Sequence, residues 1–281
     1  MVIGIVESIQ SALLSMLGDR LAGVVLFGSA ARREDFTPLS DINVAVITNG
    51  KVPPEERVAI AEALGTDFSV VVLSVEELKQ LASNGEFLAH EILRGGKILY
   101  ADTSLYEALN FSPPVTSRTR EFLERHALAC VGLSLENYFA GRFHYALNYA
   151  YRGLRSAARC VSARDGELCF SDSEVAEALR RRGFEEAAEV YGRLRRGRFL
   201  GVGKGDLYQL LLSAYKQVFR VLGLGEPDFE GLVSRVEKTF VYVSEVKLTA
   251  ERGRVKAEVA GVGAGGREER LEEPLVLAAE V

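Results

Sequence analysis

Gly28 and Ser29 follow the apolar run Gly23–Phe27 and open what reads as a helix. A glycine at that junction lets the backbone approach a ligand. Ser29 offers a hydroxyl and an N–H near a helix N-terminus, which together make a seat for phosphate. Asp41 and Asn43 stand two apart in the run Asp41–Ile47, so as strand residues they share one face. If the first two strands pair antiparallel, Ser29 lies beside Asp41. Asp67, at the start of a third apolar run, brings a further carboxylate to the same edge. Mg²⁺ or Mn²⁺ takes a few oxygen ligands together with substrate phosphates, which makes Asp41, Asn43 and Asp67 candidate metal ligands. Arg32 is a candidate phosphate contact with Gly28 and Ser29, and Arg33 stands next to it; both also fit a solvated turn. Singly, each residue has a plainer reading: a strand-to-helix turn at Gly28-Ser29, a cap at Asp41 after Ser40, a turn at Asp67 after Gly65. Their order and spacing together favour a site.

The elements that must position these residues are legible from periodicity. Ile3, Val6, Ile9, Leu13, Met16 and Leu17 recur on one helical face, ended by Gly18 and Asp19. Strands are expected at 23–27, 41–47, 67–73 and 97–100. Pro53-Pro54 opens a helix through Leu64, with Glu55 and Glu56 in its first turn. Ser74 with Glu77 forms the capping box of a helix through Leu81, and Glu86 to Leu93 is a further helix. Helices and strands in this order predict an α+β fold with a small mixed sheet.

Ser112-Pro113-Pro114 breaks the pattern and sets a domain boundary. From Ser117 to Gly223 the chain reads as helical almost throughout, an all-α bundle with its strongest segments at 118–139, 142–161, 173–182 and 207–222. Beyond Glu237 alternating residues predict a β-hairpin appendage turning at Arg252-Gly253, then a glycine-rich loop over 261–266 and a short apolar end. The expected domains are 1–112, 113–236 and 237–281.

With 281 residues and 48% hydrophobic composition, the chain can bury more than one core. No stretch approaches the length of a membrane span, and MVIGIVESIQ lacks the basic start of a secretory signal. Three scattered cysteines suggest buried thiols in a reducing compartment, so a cytoplasmic location is expected. The absence of Trp and the abundance of Arg, Glu, Val and Gly lean towards a thermophilic source. Charge is uneven: residues 1–112 carry net −7 and residues 113–220 net +6. An acidic part joined to a basic one suits metal on one side and a phosphate-bearing ligand on the other.

The strings GSAARRE from Gly28, SDINVAV from Ser40 and TDFSVVV from Thr66 resemble the signature of the DNA polymerase β-like nucleotidyltransferase superfamily. The likeness covers roughly residues 1–112 and is strongest to minimal MNT-type domains, often joined to a helical HEPN-type domain as in kanamycin nucleotidyltransferase-like proteins. The stretch RFHYALNYAYRGLRSAARC looks HEPN-like in texture. The resemblance implies that Gly28 and Ser29 hold a nucleoside triphosphate and that Asp41 and Asp67 match its metal and catalytic carboxylates. Asp67 would help deprotonate or orient an acceptor that attacks the α-phosphate and releases pyrophosphate. Two residues depart from the pattern. Arg33 replaces a usual glycine, and Asn43 replaces the second carboxylate, removing one unit of negative charge from the metal site.

The expected function is therefore transfer of NMP, with AMP first in line, from an NTP to a small-molecule or protein acceptor. The alternative is an impaired nucleotide-binding module, regulatory or antitoxin-like, on account of Asn43. Basic runs at Arg180–Arg182 and Arg193–Arg198 could floor nucleotide phosphates or RNA, though solvated helix ends are the plainer reading. The aromatics from Tyr138 to Tyr151 fit bundle core better than base stacking. Arg120 and His126 have the spacing of a HEPN nuclease motif but lie at the wrong end of the bundle. Glu121 or Glu136 could supply an extra base. Nucleic acid is a secondary expectation, no membrane is implied, and exposed β-edges allow a homodimer.

Overall fold

The computed structural model describes residues 2–32, 34–37, 40–251 and 254–276, without the side chains of residues 2–8, 204 and 251. Arg33 and the expected turn at Arg252-Gly253 lie outside the described residues. The chain divides into two compact units, one of residues 1–119 with 170–172, the other of residues 120–169 with 173–281.

The first unit is built on a four-stranded sheet. Its elements are α1 (Val2–Leu17), β1 (Leu21–Phe27), β2 (Ile42–Thr48), α2 (Pro54–Leu64), β3 (Phe68–Ser74), α3 (Val75–Ser83), α4 (Phe87–Leu93), β4 (Lys97–Ala101) and α5 (Thr103–Leu109). The strand order is β3-β2-β1-β4, with β2 and β3 parallel and the other pairs antiparallel. Both faces are covered, so β1 is buried at every position and reads as a continuous apolar run. Ile9, Leu13 and Leu17 of α1 and Ile60 of α2 pack with Val24, Leu26, Val44 and Val46 on one face. Leu78, Ala89, Ile92 and Leu105 from α3, α4 and α5 pack with Ala22, Val25, Ala45 and Ile47 on the other. The expected Ser74–Glu77 capping box is present, with the Glu77 amide donating to Ser74 Oγ at 3.1 Å and the Ser74 amide to Glu77 Oε2 at 2.8 Å.

The second unit takes in most of α6 (Ser117–Phe139), α7 (Phe143–Arg164), all but the first residue of α8 (Asp172–Arg181), α9 (Glu185–Leu200), α10 (Lys204–Leu222) and α11 (Phe229–Thr239). The stacked rings of Tyr151 and Tyr191, 5.1 Å apart, join α7 to α9. Ser134 of α6 reaches the buried Tyr215 hydroxyl of α10 at 2.7 Å. After α11 come β5 (Phe240–Glu251), β6 (Arg254–Gly263) and β7 (Glu268–Pro274), an antiparallel sheet in that order. The expected hairpin is thus β5–β6, and it gains a third strand, β7, from the charged segment after the glycine-rich loop. Among the described residues no helix is long and apolar enough to cross a membrane.

Candidate functional site

The site is set by where three strands end or begin. Phe27, the last residue of β1, pairs with Asn43 of β2, so the chain leaves β1 at the level where β2 starts. Gly28 then takes a left-handed φ of +68° and leads into a 3-10 turn over Gly28–Ala31. A side chain there would be strained and would place its Cβ 3.0 Å from Asn43 Nδ2. Ser29, half-buried, therefore stands at the edge from which β2 begins. The register of the parallel pair, Ile42 with Phe68 and Asn43 with Ser69, sets Asp41 and Asp67 just ahead of the starts of neighbouring strands. Both aspartates are exposed. Gly28, Ser29, Asp41, Asn43 and Asp67 are thus brought to one sheet edge. Ser69, across from Asn43, joins them there; the sequence showed it only as an unremarkable strand serine.

Asn43 Nδ2 donates to the Asp41 carbonyl at 3.4 Å, which leaves its Oδ1 as the acceptor. Two carboxylates and an amide oxygen are hard donors of the kind that suit Mg²⁺ when substrate phosphates complete the shell. Among the described residues no three of His, Cys, Asp and Glu gather as a ligand cluster. The donor set therefore fits a magnesium ion that arrives with its nucleotide better than one held by protein alone.

Arg32 closes the turn. Its amide donates to the Ser29 carbonyl at 3.0 Å, and its guanidinium Nε donates to Asp35 Oδ2 at 2.9 Å. Nη1 donates to the Gly95 carbonyl at 3.4 Å. Asp35 is a buried residue the sequence did not single out.

The remaining candidates sit elsewhere. His126 is partly buried on α6, stacked on Phe122 and 2.8 Å from Ser156 Oγ through Nδ1. Burial first, then the charges of Arg155, Arg152 and Arg159, push its pKa down to about 4. At neutral pH it is an uncharged packing residue. Arg181 and Arg182 pair with Glu167, and Arg182 also with Asp165 at 2.6 Å, so this basic run is an ion-paired helix end. Arg198 lies buried over the Tyr151 ring at 4.1 Å. Glu136 has Arg142 at 4.0 Å, and Glu121 is exposed.

Residues 11–104 match the family model described as polymerase beta, nucleotidyltransferase. The first unit has a nucleotidyltransferase fold. Spectinomycin adenyltransferase AAD(9) from Enterococcus faecialis, solved with ATP and spectinomycin, is 14% identical with a TM-score of 0.54, covering 78% of this chain and 98% of its own. A nucleotidyltransferase-like protein from Exiguobacterium sibiricum is 15% identical over 96% of this chain and 99% of its own, with a TM-score of 0.26. The toxin-antitoxin complex MntA-HpeT is 20% identical over 37% of this chain and 79% of its own, with a TM-score of 0.29. The last two scores are too low to carry an argument. No curated protein matches the chain. The nucleotidyltransferase fold thus has its sequence match within the first unit.

Proposed function

We propose that the chain transfers NMP, with AMP as the first candidate, from an NTP to a small-molecule or protein acceptor and releases pyrophosphate. The observation that carries this reading is the meeting of the Gly28–Ser29 turn with Asp41, Asn43 and Asp67 at one sheet edge, through the pairings Phe27–Asn43 and Ile42–Phe68. Gly28 and Ser29 seat the triphosphate, and Arg32 stands at the end of the same turn. An acceptor oxygen or nitrogen attacks the α-phosphorus as the bond to the pyrophosphate oxygen breaks. Asp67 orients the acceptor or takes its proton, and Asp41 anchors the negative side of the site. A magnesium or manganese ion held by Asp41, Asn43 and Asp67 would neutralise charge building on the phosphates. Adenylyl transfer in particular fits the ATP-bound adenyltransferase whose fold the chain shares. The three cysteines are free and buried, which supports a reducing, cytoplasmic setting. A HEPN-like character for the helices rests on their texture alone.

The second reading, a nucleotide-binding module with little turnover, is favoured by Asn43, whose amide brings no charge and spends a donor on the Asp41 carbonyl. One experiment separates the two: titrate ATP, CTP, GTP and UTP with Mg²⁺, following binding and pyrophosphate release. Turnover that falls on the order of a hundredfold in Asp41→Ala supports the transferase. Binding without turnover in the native protein, restored by Asn43→Asp, supports the impaired module. Failure to bind any NTP removes both.

A further inference from the structure

Behind the Gly28–Ala31 turn lies a contact between distant parts of the chain. Asp35 is 5% exposed, and its carboxylate accepts hydrogen bonds from Arg32 and from the backbone of Asp172. Arg32 donates through Nε at 2.9 Å. The other two bonds come from a single backbone N–H, that of Asp172, at 3.1 Å to Oδ1 and 3.3 Å to Oδ2. Asp172 ends the short segment Phe170–Asp172, which belongs to the first unit although it lies 137 positions beyond Asp35. The same segment is fixed by Phe170. Its ring lies against Gly95, where an added Cβ would come within 2.9 Å of Phe170 Cδ1, and Arg94 stands over it with Cζ 6.0 Å from the centroid. Gly95 is also the residue whose carbonyl receives Arg32 Nη1. Thus the turn, the α4–β4 junction and the 170–172 segment meet at Arg32 and Asp35.

Arg32 is poorly placed to be a simple phosphate contact. Its side chain is 13% exposed, and Asp35 and Gly95 engage both the Nε and Nη1 ends of the guanidinium. Its amide meanwhile closes the turn on the Ser29 carbonyl, and the Asp35 amide closes the next turn on the Arg32 carbonyl at 3.1 Å. Two successive turns are therefore tied to one buried ion pair. A loop that holds phosphate through backbone N–H groups works only if those groups are fixed before the ligand arrives, and a misplacement of about 1 Å costs roughly a hundredfold.

We propose that Asp35 is a positioning residue: with Arg32 and the Phe170–Asp172 segment it braces the Gly28–Ser29 turn in its phosphate-holding shape. This rests on the nucleotidyltransferase reading above. Asp35 acts on the nucleotide through Arg32 and the turn, without touching it.

The test is a double-mutant cycle with Asp35→Asn and Arg32→Ala, measuring KM for the NTP and kcat in the full chain with Mg²⁺. Each single change is expected to raise KM about tenfold, the effect of losing one charge-assisted hydrogen bond, with kcat changed by less than about threefold. The double variant is expected to be no worse than the poorer single one, because both act through one brace. Losses that multiply, or a much larger loss for Arg32→Ala, would mean that Arg32 contacts the nucleotide itself and would overturn the proposal. So would an unchanged KM in Asp35→Asn. Amide hydrogen exchange without nucleotide supplies an independent readout, with the milder Phe170→Leu as a second variant. In both variants the Asp172 amide and those of residues 29–32 are expected to lose protection together. Retained protection at residues 29–32 would show that no brace exists. If the native protein binds no NTP, the functional reading falls and the nucleotide role of Asp35 falls with it, while exchange still decides whether the brace is there.

Discussion

A histidine held uncharged makes the fold sensitive to acid. His126 has its pKa pushed down to about 4, by burial first and then by Arg155, Arg152 and Arg159. His90, fully buried on α4, is shifted the same way, by burial and then by Arg94. An unfolded chain binds these protons near pH 6.5, whereas the folded one resists them. Stability is therefore whole above about pH 6.5 and drains as pH falls towards 4, by up to about 3 kcal/mol for His126. Urea midpoints measured across that interval are expected to fall with pH, and His126→Gln to flatten the slope. An unchanged slope would mean that His126 titrates normally. At this scale the sequence exposed the candidate site well, since Gly28, Ser29, Asp41, Asn43 and Asp67 announce themselves by type and spacing. It concealed Asp35, whose partner Asp172 is 137 positions away and whose bond is to a backbone N–H that no side-chain pattern reports.

The elements carry the site because β1 is a buried central strand with no room to move. Gly23 shows how little room there is. A Cβ at that position would come 2.0 Å from Leu105 Cδ2 and 2.9 Å from the Tyr100 carbonyl of β4. Leu105 could turn aside, but the carbonyl belongs to the neighbouring strand backbone. Gly23→Ala is expected to cost about 1–3 kcal/mol and to lower the melting temperature, with NTP affinity falling as the end of β1 shifts. A melting temperature equal to that of the native protein would show that the sheet yields there. β1, β2 and β3 were legible because both-faced burial writes a plain apolar run. α5 and β7 were not. α5 has only seven residues, is capped by Asp102 through the Leu105 amide, and exposes Tyr106. β7 reads EERLEEP and has no apolar alternation of its own. It takes its form from β6, with Leu271 opposite Val259 and Glu272 bonded to Lys256 at 3.0 Å.

At the scale of the molecule, the acidic net charge of residues 1–112 and the basic charge of 113–220 were plain from composition. What composition could not tell is how much of the basic charge is already spent. Arg181 and Arg182 are paired with Glu167, and Arg220 with Glu186. These ion pairs balance part of that surface within the second unit, so net charge by itself does not argue for a nucleic-acid role.

The segment Phe170–Asp172 bears on how this protein could have been put together, and on how it can be taken apart. The nucleotidyltransferase fold looks like a module that a gene could carry on its own, ending at the prolines after Ser112. Yet three of the first unit's residues are encoded well past that point. A chain cut after Thr119 would leave the Asp35 carboxylate without the Asp172 amide and bare the face of Gly95 where Phe170 lies. Residues 1–119 expressed alone are expected to melt below the full chain and to lose protection at residues 29–32; equal melting and protection would show the piece to be self-sufficient. If the loss is seen, recombination at the obvious linker would not transplant this domain intact, and its inheritance is tied to that of the helices encoded on either side of the borrowed segment.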